Sequence, residues 1–408
     1  MARAGSLVAA QPLRASGLRP EPGTALYVHV PFCVAKCTYC DFYSLVPDGQ
    51  DLPGTLDALL LEAGRRAPPR PRTVFLGGGT PSFYSTAELE RLLDGLDRRS
   101  DFRSSAVEVT CECNPESLDL TKARALRDLG VDRISIGFQS LDPRILALFG
   151  RVHDERQSFA AFEAARAAGF ERVSVDLIYG APGQGLAQWE LELERVLALR
   201  PDHISAYQLT YEEGTPLTAR LRAGDFQRLG EELELAFFEL THGLLGAAGY
   251  DGYEVSNFSL AGQQCAHNFN YWSNGPYLGI GPSAVSKIGP TRFGNPRSIA
   301  PWRQAIEAGR FPAAWEETPE AKTRLGETWW LGLRTRAGVE PASACRTAGF
   351  QGPDPTQDLR HTLVDQGFLE ESGSRYRLGT RGWPVADAIA RRFLAVCASA
   401  RGPESALE

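Results

Sequence analysis

The stretch "HVPFCVAKCTYCDF" (residues 29–42) places three cysteines, Cys33, Cys37 and Cys40, within eight consecutive positions. Thiolates at this spacing in a loop can converge on one metal centre. Structural zinc sites usually take four protein ligands from two separated C-x-x-C pairs, and no second pair follows in this chain. His29 is the nearest alternative ligand, but it belongs to the predicted strand before the loop. The loop therefore favours an iron–sulfur cluster with one iron open to an exchangeable ligand.

The composition bounds the class of protein. A length of 408 residues exceeds what one hydrophobic core usually covers, so we expect one large domain and one smaller domain. No apolar run approaches the length of a membrane-spanning helix. The net charge of −7 argues against nucleic acid as a partner. The eight cysteines are few for the length and partly clustered, which favours metal chemistry in a reducing cytoplasm.

From residue 25 onward, short β-rich runs alternate with helix-like segments at the spacing of βαβ crossovers. Six such units predict a partial (β/α)6 TIM-like barrel, with a doubly wound sheet as the alternative. The predicted strands are residues 25–31, 72–79, 106–114, 131–139, 171–180 and 201–210. The predicted helices between them are residues 86–98, 121–129, 155–168 and 186–199.

Alternation within three of these strands separates a polar face from an apolar face. A parallel sheet buried on both faces should be apolar throughout, so the polar face is expected to line a cavity that holds a polar ligand. Cys111 and Cys113 lie on the apolar face and are predicted to be packing residues. The polar face consists of Glu108, Thr110, Glu112, Asn114, Ser135, Gly137, Gln139, Ser174 and Asp176.

The regular alternation of β-rich runs and helix-like segments ends after Thr210. An amphipathic helix is predicted over residues 230–245, and an aromatic, glycine-rich stretch follows over 265–286. From residue 312, helices precede a hairpin, which predicts a winged-helix-like α+β domain. Since this domain has no basic cluster, we expect a lid or docking module and not a DNA reader. The predicted organisation is a disordered leader (1–24, with a targeting segment as the alternative), the partial barrel (25–211), a barrel extension (212–311) and the C-terminal domain (312–408).

Two motifs together identify a superfamily. The pattern C-x-x-x-C-x-x-C with Tyr39 before its last cysteine follows the first strand, and "GGGTP" (77–81) ends the second strand. This combination resembles the radical S-adenosylmethionine (radical SAM) superfamily. The resemblance implies a 4Fe–4S cluster on Cys33, Cys37 and Cys40, with S-adenosylmethionine chelating the remaining iron. Electron transfer into the sulfonium would supply the radical chemistry.

Further motifs narrow the resemblance to the coproporphyrinogen III oxidase-like branch: "LYVHVPFC", "ECNPE", "GFQS", "GRVH", "DLIYGAPGQ" and "HNFNYW". Several of the adenosylmethionine-contacting positions that it implies also lie on the polar face deduced from strand alternation. These implied positions are Tyr27, Tyr39, Gly78, Gly79, Thr80, Glu112, Gln139, Arg151 and Asp176.

That branch contains an enzyme, the oxygen-independent coproporphyrinogen III dehydrogenase, and the HemW-type heme chaperones. The dehydrogenase has a further cysteine where this chain has Phe42, and a long arm where this chain has about 24 residues before its first strand. "HNFNYW" (267–272) matches the H-N-x-x-Y-W motif of the chaperones, which implies His267 as a heme contact. Tyr271 and Trp272 would then stack on the porphyrin or, alternatively, belong to the core.

We therefore expect a heme chaperone of porphyrin metabolism, with no catalytic residue assigned. The dehydrogenase is the alternative, and a radical enzyme with another substrate is a third reading. The expected cofactors are the 4Fe–4S cluster, S-adenosylmethionine and heme. The expected partners are heme, a heme-acceptor protein and an electron donor for the cluster, while peripheral contact with a membrane is left open.

Overall fold

The computed structural model describes residues 17–398. Its strands begin and end where short runs of β-branched and apolar residues do. They are β1 (Ala25–Val30), β2 (Thr73–Gly78), β3 (Glu108–Cys113), β4 (Arg133–Gln139), β5 (Arg172–Tyr179), β6 (His203–Gln208), β7 (Asp251–Gly252), β8 (Asn257–Ser259), β9 (Tyr277–Ile280), β10 (Val285–Ile288), β11 (Thr291–Gly294), β12 (Trp315–Glu317), β13 (Leu369–Ser372) and β14 (Arg375–Leu378).

Most of the longer helices connect consecutive strands of the barrel, and several begin at a side-chain cap. The helices are α1 (Leu52–Arg66), α2 (Thr86–Ser100), α3 (Phe102–Ser105), α4 (Leu120–Asp128), α5 (Pro143–Phe149), α6 (Glu155–Ala167), α7 (Leu186–Ala198), α8 (Pro216–Ala223), α9 (Glu231–Ala247), α10 (Ala266–Trp272), α11 (Ile299–Glu307), α12 (Ala321–Leu333), α13 (Pro341–Ala348), α14 (Gln357–Asp365) and α15 (Ala386–Ala398). Single 3₁₀ turns occur at Pro81–Phe83, Pro115–Ser117 and Trp383–Val385.

The six strands β1 to β6 are parallel neighbours in sequence order within one twelve-stranded sheet. This order confirms the predicted partial (β/α)6 barrel. In a doubly wound sheet the spatial order of the strands would reverse part-way along the chain. The observed strand ends lie within two residues of the predicted ones. At the edges of the barrel, β9 pairs parallel with β1 and β8 pairs antiparallel with β6.

One face of each barrel strand is covered by helices, and the other lines the interior. Val109, Cys111, Ile134 and Val175 are fully buried in the layer between sheet and helices. Cys113 is also buried there, so both cysteines of β3 pack as predicted. The polar residues of the same strands point to the inner face, where the site is built.

A second core holds the C-terminal residues together. α12 to α15 and the antiparallel hairpin of β13 and β14 enclose Trp329 and Phe393, whose rings stack at 4.7 Å. This arrangement of helices and a two-stranded wing is the predicted winged-helix-like fold. It adjoins the barrel where Glu254 forms a β-bridge with Thr335.

Of the predicted leader, residues 1–16 lie outside the described part of the chain. Within residues 17–24, the backbone N–H of Gly23 donates to Arg70 O at 3.0 Å. The predicted domain boundaries stay predictions. None of the helices in residues 17–398 combines the length and the apolar character needed to cross a bilayer.

Candidate functional site

The cysteine loop (residues 31–51) leaves the carboxyl end of β1. Its base is a short bridge in which Cys33 N donates to Leu45 O at 3.0 Å and Leu45 N donates to Pro31 O at 2.8 Å. From the inner face of β1, His29 Nε2 bonds Tyr43 O at 2.8 Å, which ties the far side of the loop to the strand. The loop is therefore closed by its own bridge and tied by His29 to the strand that precedes it.

The three cysteines of this loop are free thiols and partly exposed. Burial raises the pKa of Cys40 to about 11 and also raises the pKa of Cys33. Such thiols become ligands only when a cation replaces the lost solvation, which iron would do. Within residues 17–398, no three His, Cys, Asp or Glu side chains are placed to ligate a single ion. In a cubane cluster each cysteine binds a different iron, so the three sulfurs do not have to meet at one point.

A chain of hydrogen bonds connects two of the cysteines through residues that follow β2, β3 and α5. Thr80 Oγ1 donates to Cys33 Sγ at 3.4 Å and accepts from Asn114 Nδ2 at 2.8 Å. Arg151 donates to Asn114 Oδ1 at 2.6 Å and to Cys37 Sγ at 3.4 Å. Donors to thiolate sulfurs orient cluster ligands and tune their potential. Asn114 was predicted to face the cavity, but its central place in this chain was missed because it depends on partners from other strands.

The glycine loop after β2 packs directly on the backbone of the cysteine loop. Gly79 N donates to Val30 O at 2.7 Å, and a Cβ at Gly79 would lie 2.7 Å from the carbonyl oxygens of both Val30 and Phe32. Gly78 has a φ of +102°, and a Cβ there would lie 2.4 Å from His29 Nδ1. Both positions therefore need glycine so that the glycine loop can pack against β1 and the start of the cysteine loop.

Two partly buried carboxylates, Glu112 of β3 and Asp176 of β5, lie on the inner face of the barrel. Glu112 accepts from Gly78 N at 3.3 Å, and Asp176 accepts from Ser135 Oγ at 3.0 Å. Burial, reinforced by the negative charge of Asp176, raises the pKa of Glu112 to about 8; burial also raises the pKa of Asp176. A nearby cation would stabilise the ionised form of these two acids. The ammonium and sulfonium groups of adenosylmethionine carry that charge.

At the end of β4, the backbone departs from regular geometry. Gln139 has a φ of +64°, and the register with β5 shifts between Gly137 and Gln139. Arg151 Nη2 donates to the Gly137 carbonyl at 2.8 Å beside this bulge. Bulges and left-handed non-glycine residues concentrate where a strand re-aims a side chain toward a ligand. The structure thus places Gln139 and Arg151 together, and their predicted contact with adenosylmethionine stays a prediction.

The two tyrosines predicted to contact adenosylmethionine lie in different surroundings. Tyr27 is on the inner face of β1, with its hydroxyl 3.1 Å from His29 Nδ1. Tyr39 packs edge-on against Phe149 at 5.0 Å, in a small apolar cluster below α5 and α8. Tyr27 therefore lines the cavity, whereas the Tyr39 ring supports the cysteine loop from the side.

His267 lies at the other end of the barrel, where the strands begin. α10 presents it to the inner face of β2, with its ring 5.1 Å from that of Phe75. Its Nδ1 is 2.8 Å from Thr73 Oγ1, and its Nε2 is 3.0 Å from the Tyr271 hydroxyl. It is 1% exposed, and burial lowers its pKa to about 4, so the imidazole is neutral at pH 7. Both ring nitrogens are engaged in this conformation.

Glu108, the first residue of β3, holds the start of α10 in place. It is fully buried and accepts from Ala266 N and His267 N, both at 2.9 Å, and from Cys265 Sγ at 3.3 Å. Arg172 Nη2 donates to it at 2.7 Å. Although burial raises the pKa of Glu108, these neighbours and Arg133 lower it below the ordinary value. Cys265 thus bonds to a carboxylate.

Sequence reasoning placed Glu108 on the cavity face but did not assign it a role, because its donors come from residues far along the chain. Trp272, at the end of α10, lies under the Arg334 guanidinium at 5.0 Å and so connects this helix to the C-terminal domain. The sequence predictions of a heme ligand at His267 and of porphyrin stacking by Tyr271 and Trp272 stay predictions.

Comparisons with known proteins agree with this geometry. A family model described as the radical SAM superfamily matches residues 27–196. The heme chaperone HemW of Bacillus subtilis is 33% identical over 374 residues, which span 90% of this chain and 98% of that protein. The heme chaperone HemW of Escherichia coli is 37% identical over 386 residues, spanning 92% of this chain and 99% of that protein.

A solved structure shares the fold. Coproporphyrinogen III oxidase (HemN) from Escherichia coli, a radical SAM enzyme, superposes with a TM-score of 0.79 over 92% of this chain and 90% of its own. The two sequences are 23% identical. The likeness extends from the barrel into the C-terminal domain and supports the fold class predicted from the sequence.

Proposed function

This chain belongs to the radical SAM superfamily and, within it, to the HemW family, and on that premise we propose that it binds heme and transfers it to acceptor proteins. The observation that carries the proposal is the match to proteins named heme chaperones over nearly their whole length. The expected branch within the superfamily is thereby confirmed, while the transfer of heme by this chain is our inference.

We infer further that the chain holds a 4Fe–4S cluster on Cys33, Cys37 and Cys40, with adenosylmethionine beside it. Support comes from the donors to two of the sulfurs and from the partly buried acids Glu112 and Asp176, which suit a cationic ligand. When bound, the cluster can pass one electron to the sulfonium, so an electron donor is an expected partner. The cytoplasmic location and any peripheral contact with a membrane stay predictions of the sequence.

For heme itself, His267 is the proposed axial ligand. Its imidazole is neutral at pH 7, as ligation of iron requires, and it belongs to the "HNFNYW" motif. Phe75 and Tyr271 adjoin its ring and offer apolar surface to a porphyrin.

The alternative function is the coproporphyrinogen III dehydrogenase. The chain keeps the cysteine loop, the glycine loop and the cavity residues Glu112, Gln139 and Asp176. This favours the dehydrogenase, because binding and cleavage of adenosylmethionine would require them. Against it, Phe42 replaces the additional cysteine expected after the third cluster ligand, and its side chain is 68% exposed. We therefore keep the carrier as the main proposal.

The test is an anaerobic heme titration of the reconstituted full chain. We expect stoichiometric heme uptake that is lost in His267→Ala, with the cluster absorption unchanged. His242→Ala is the control, because His242 is a partly buried histidine elsewhere in the fold, where it bonds Val255 O at 3.3 Å. Cys33→Ser should lose the cluster, whereas Cys113→Ser, in the core behind the sheet, should keep it. Conversion of coproporphyrinogen III without heme uptake would replace the proposal with the dehydrogenase.

A further inference from the structure

His267 cannot accept a heme iron in the conformation that the structure describes. Iron would take the lone pair of one ring nitrogen, and both nitrogens already have partners, Thr73 Oγ1 at 2.8 Å and the Tyr271 hydroxyl at 3.0 Å. These two partners differ in their surroundings. Thr73, on β2, is 1% exposed, whereas Tyr271, on α10, is partly exposed.

The difference in burial indicates which nitrogen can be freed. The backbone of Thr73 is held in β2, where it pairs with Glu108 of β3, and the short side chain keeps the hydroxyl close to that strand. Tyr271 lies one helical turn beyond His267 on α10, and its ring meets Tyr277 edge-on at 4.7 Å. A change of its side-chain rotamer moves the hydroxyl away from Nε2 without disturbing any strand.

We propose that the Tyr271 hydroxyl is a gate that competes with heme iron for Nε2 of His267, while the Thr73 hydroxyl positions the imidazole for ligation. This inference rests on the proposed function. In the ligating state the single imidazole proton lies on Nδ1 and is donated to Thr73 Oγ1. Nε2 then carries the lone pair, which accepts the Tyr271 O–H when heme is absent and binds iron when heme is present. No proton enters or leaves the pair of sites in this exchange.

The two hydroxyls therefore have opposite effects on heme affinity. The Tyr271 bond must break before iron binds, so it opposes binding. The Thr73 bond persists and makes the imidazole a better donor to iron, as hydrogen-bond acceptors behind metal-bound histidines generally do. Loss of one neutral hydrogen bond corresponds to a change of about two- to tenfold in a dissociation constant.

The experiment compares heme affinity and axial ligation in the full chain reconstituted with its cluster. Tyr271→Phe should bind heme about two- to tenfold more tightly and faster than the wild type. Thr73→Val should bind it about two- to tenfold more weakly, with an altered iron–histidine stretching frequency in the resonance Raman spectrum. Thr73→Ser keeps a hydroxyl and should restore both affinity and frequency. Tyr277→Phe is the control, since its ring adjoins Tyr271 but no hydrogen bond joins it to His267.

The outcomes separate this inference from the proposed function. If the wild type binds heme through His267 but Tyr271→Phe weakens binding, the gate is wrong and the carrier stands. If Thr73→Val leaves the iron–histidine frequency unchanged, the positioning role of Thr73 is wrong. If neither the wild type nor any variant takes up heme, the proposed function itself fails. Cluster absorption and thermal unfolding, measured on every variant, identify any that has not folded, and Thr73→Ala then replaces Thr73→Val as the variant that lacks the hydroxyl.

Discussion

Replacing Glu108 with glutamine should release α10 from the bottom of the barrel. The carboxylate accepts four donors on two oxygens, from Ala266 N, His267 N, Cys265 Sγ and Arg172 Nη2. Glutamine keeps one oxygen, so one backbone N–H loses its acceptor and faces an amide N–H₂ group.

The magnitude follows from what the substitution leaves unpaired. A hydrogen bond to a charged group contributes about 1.5–3 kcal/mol, and removing one partner of a buried ion pair costs about 3–5 kcal/mol. Since Arg172 keeps some exposure, with 21% of its side chain accessible, we expect the lower end, about 3 kcal/mol. If α10 opens locally, a loss of about 3 kcal/mol in the free energy of opening makes its amide hydrogens exchange roughly a hundredfold faster.

Hydrogen exchange followed by mass spectrometry on peptides that cover α10 measures this directly. Glu62→Gln is the matched control, because Glu62 is equally buried and accepts from Gly281 N, Trp302 Nε1 and Asn295 Nδ2, all within 2.9 Å, at a different place in the fold. It should loosen the segment around α11 and leave α10 protected. If α10 in Glu108→Gln exchanged within about threefold of the wild type, the carboxylate would not be what holds this helix.

Two further predictions concern the opposite end of the barrel. Burial raises the pKa of Glu112 to about 8, so between about pH 5 and pH 8 the folded chain retains a proton that the unfolded chain has lost, and this group makes the protein less stable as pH rises. In urea unfolding over that range, Glu112→Gln should therefore gain stability relative to the wild type by up to about 1.4 kcal/mol per pH unit; a difference that does not vary with pH would contradict the raised pKa. Gly79→Ala should reduce the iron content after reconstitution, because its Cβ would lie 2.7 Å from Val30 O at the end of β1 and 2.7 Å from Phe32 O in the cysteine loop. Gly185→Ala, where a Cβ meets nothing within 4 Å, should retain iron like the wild type, and equal iron in both variants would refute the close approach.

Much of the barrel was predictable because its information is local. Alternation along β3, β4 and β5 identified the inner face, and Glu112, Gln139 and Asp176 lie on it as predicted. The short runs of β-branched residues located the six strands, since a parallel sheet covered by helices needs such runs at regular spacing. The motif resemblance added Arg151 and Thr80, whose bonds to cysteine sulfur no periodicity could indicate.

What escaped prediction depends on partners distant in sequence. β9 joins the edge of β1 although some 250 residues separate them, and nothing in either strand specifies the other. In the same way, Thr73 and Glu108 find their partners in α10. A single sequence reports which face a residue occupies, but the choice of a distant partner is decided by the packing of the whole chain.

The positions of these residues also explain why one scaffold supports two functional readings. Glu112, Asp176 and Arg151 lie toward the carboxyl ends of the strands, where we propose that they hold adenosylmethionine in either function. His267 lies at the amino ends, separated from that region by Tyr27 and Phe75, whose rings are 6.3 Å apart. A variant at the carboxyl ends would therefore impair either function and could not tell them apart. Variants of His267 and of the two hydroxyls that bond its ring, those of Thr73 and Tyr271, lie outside that shared region and so test the carrying of heme by itself.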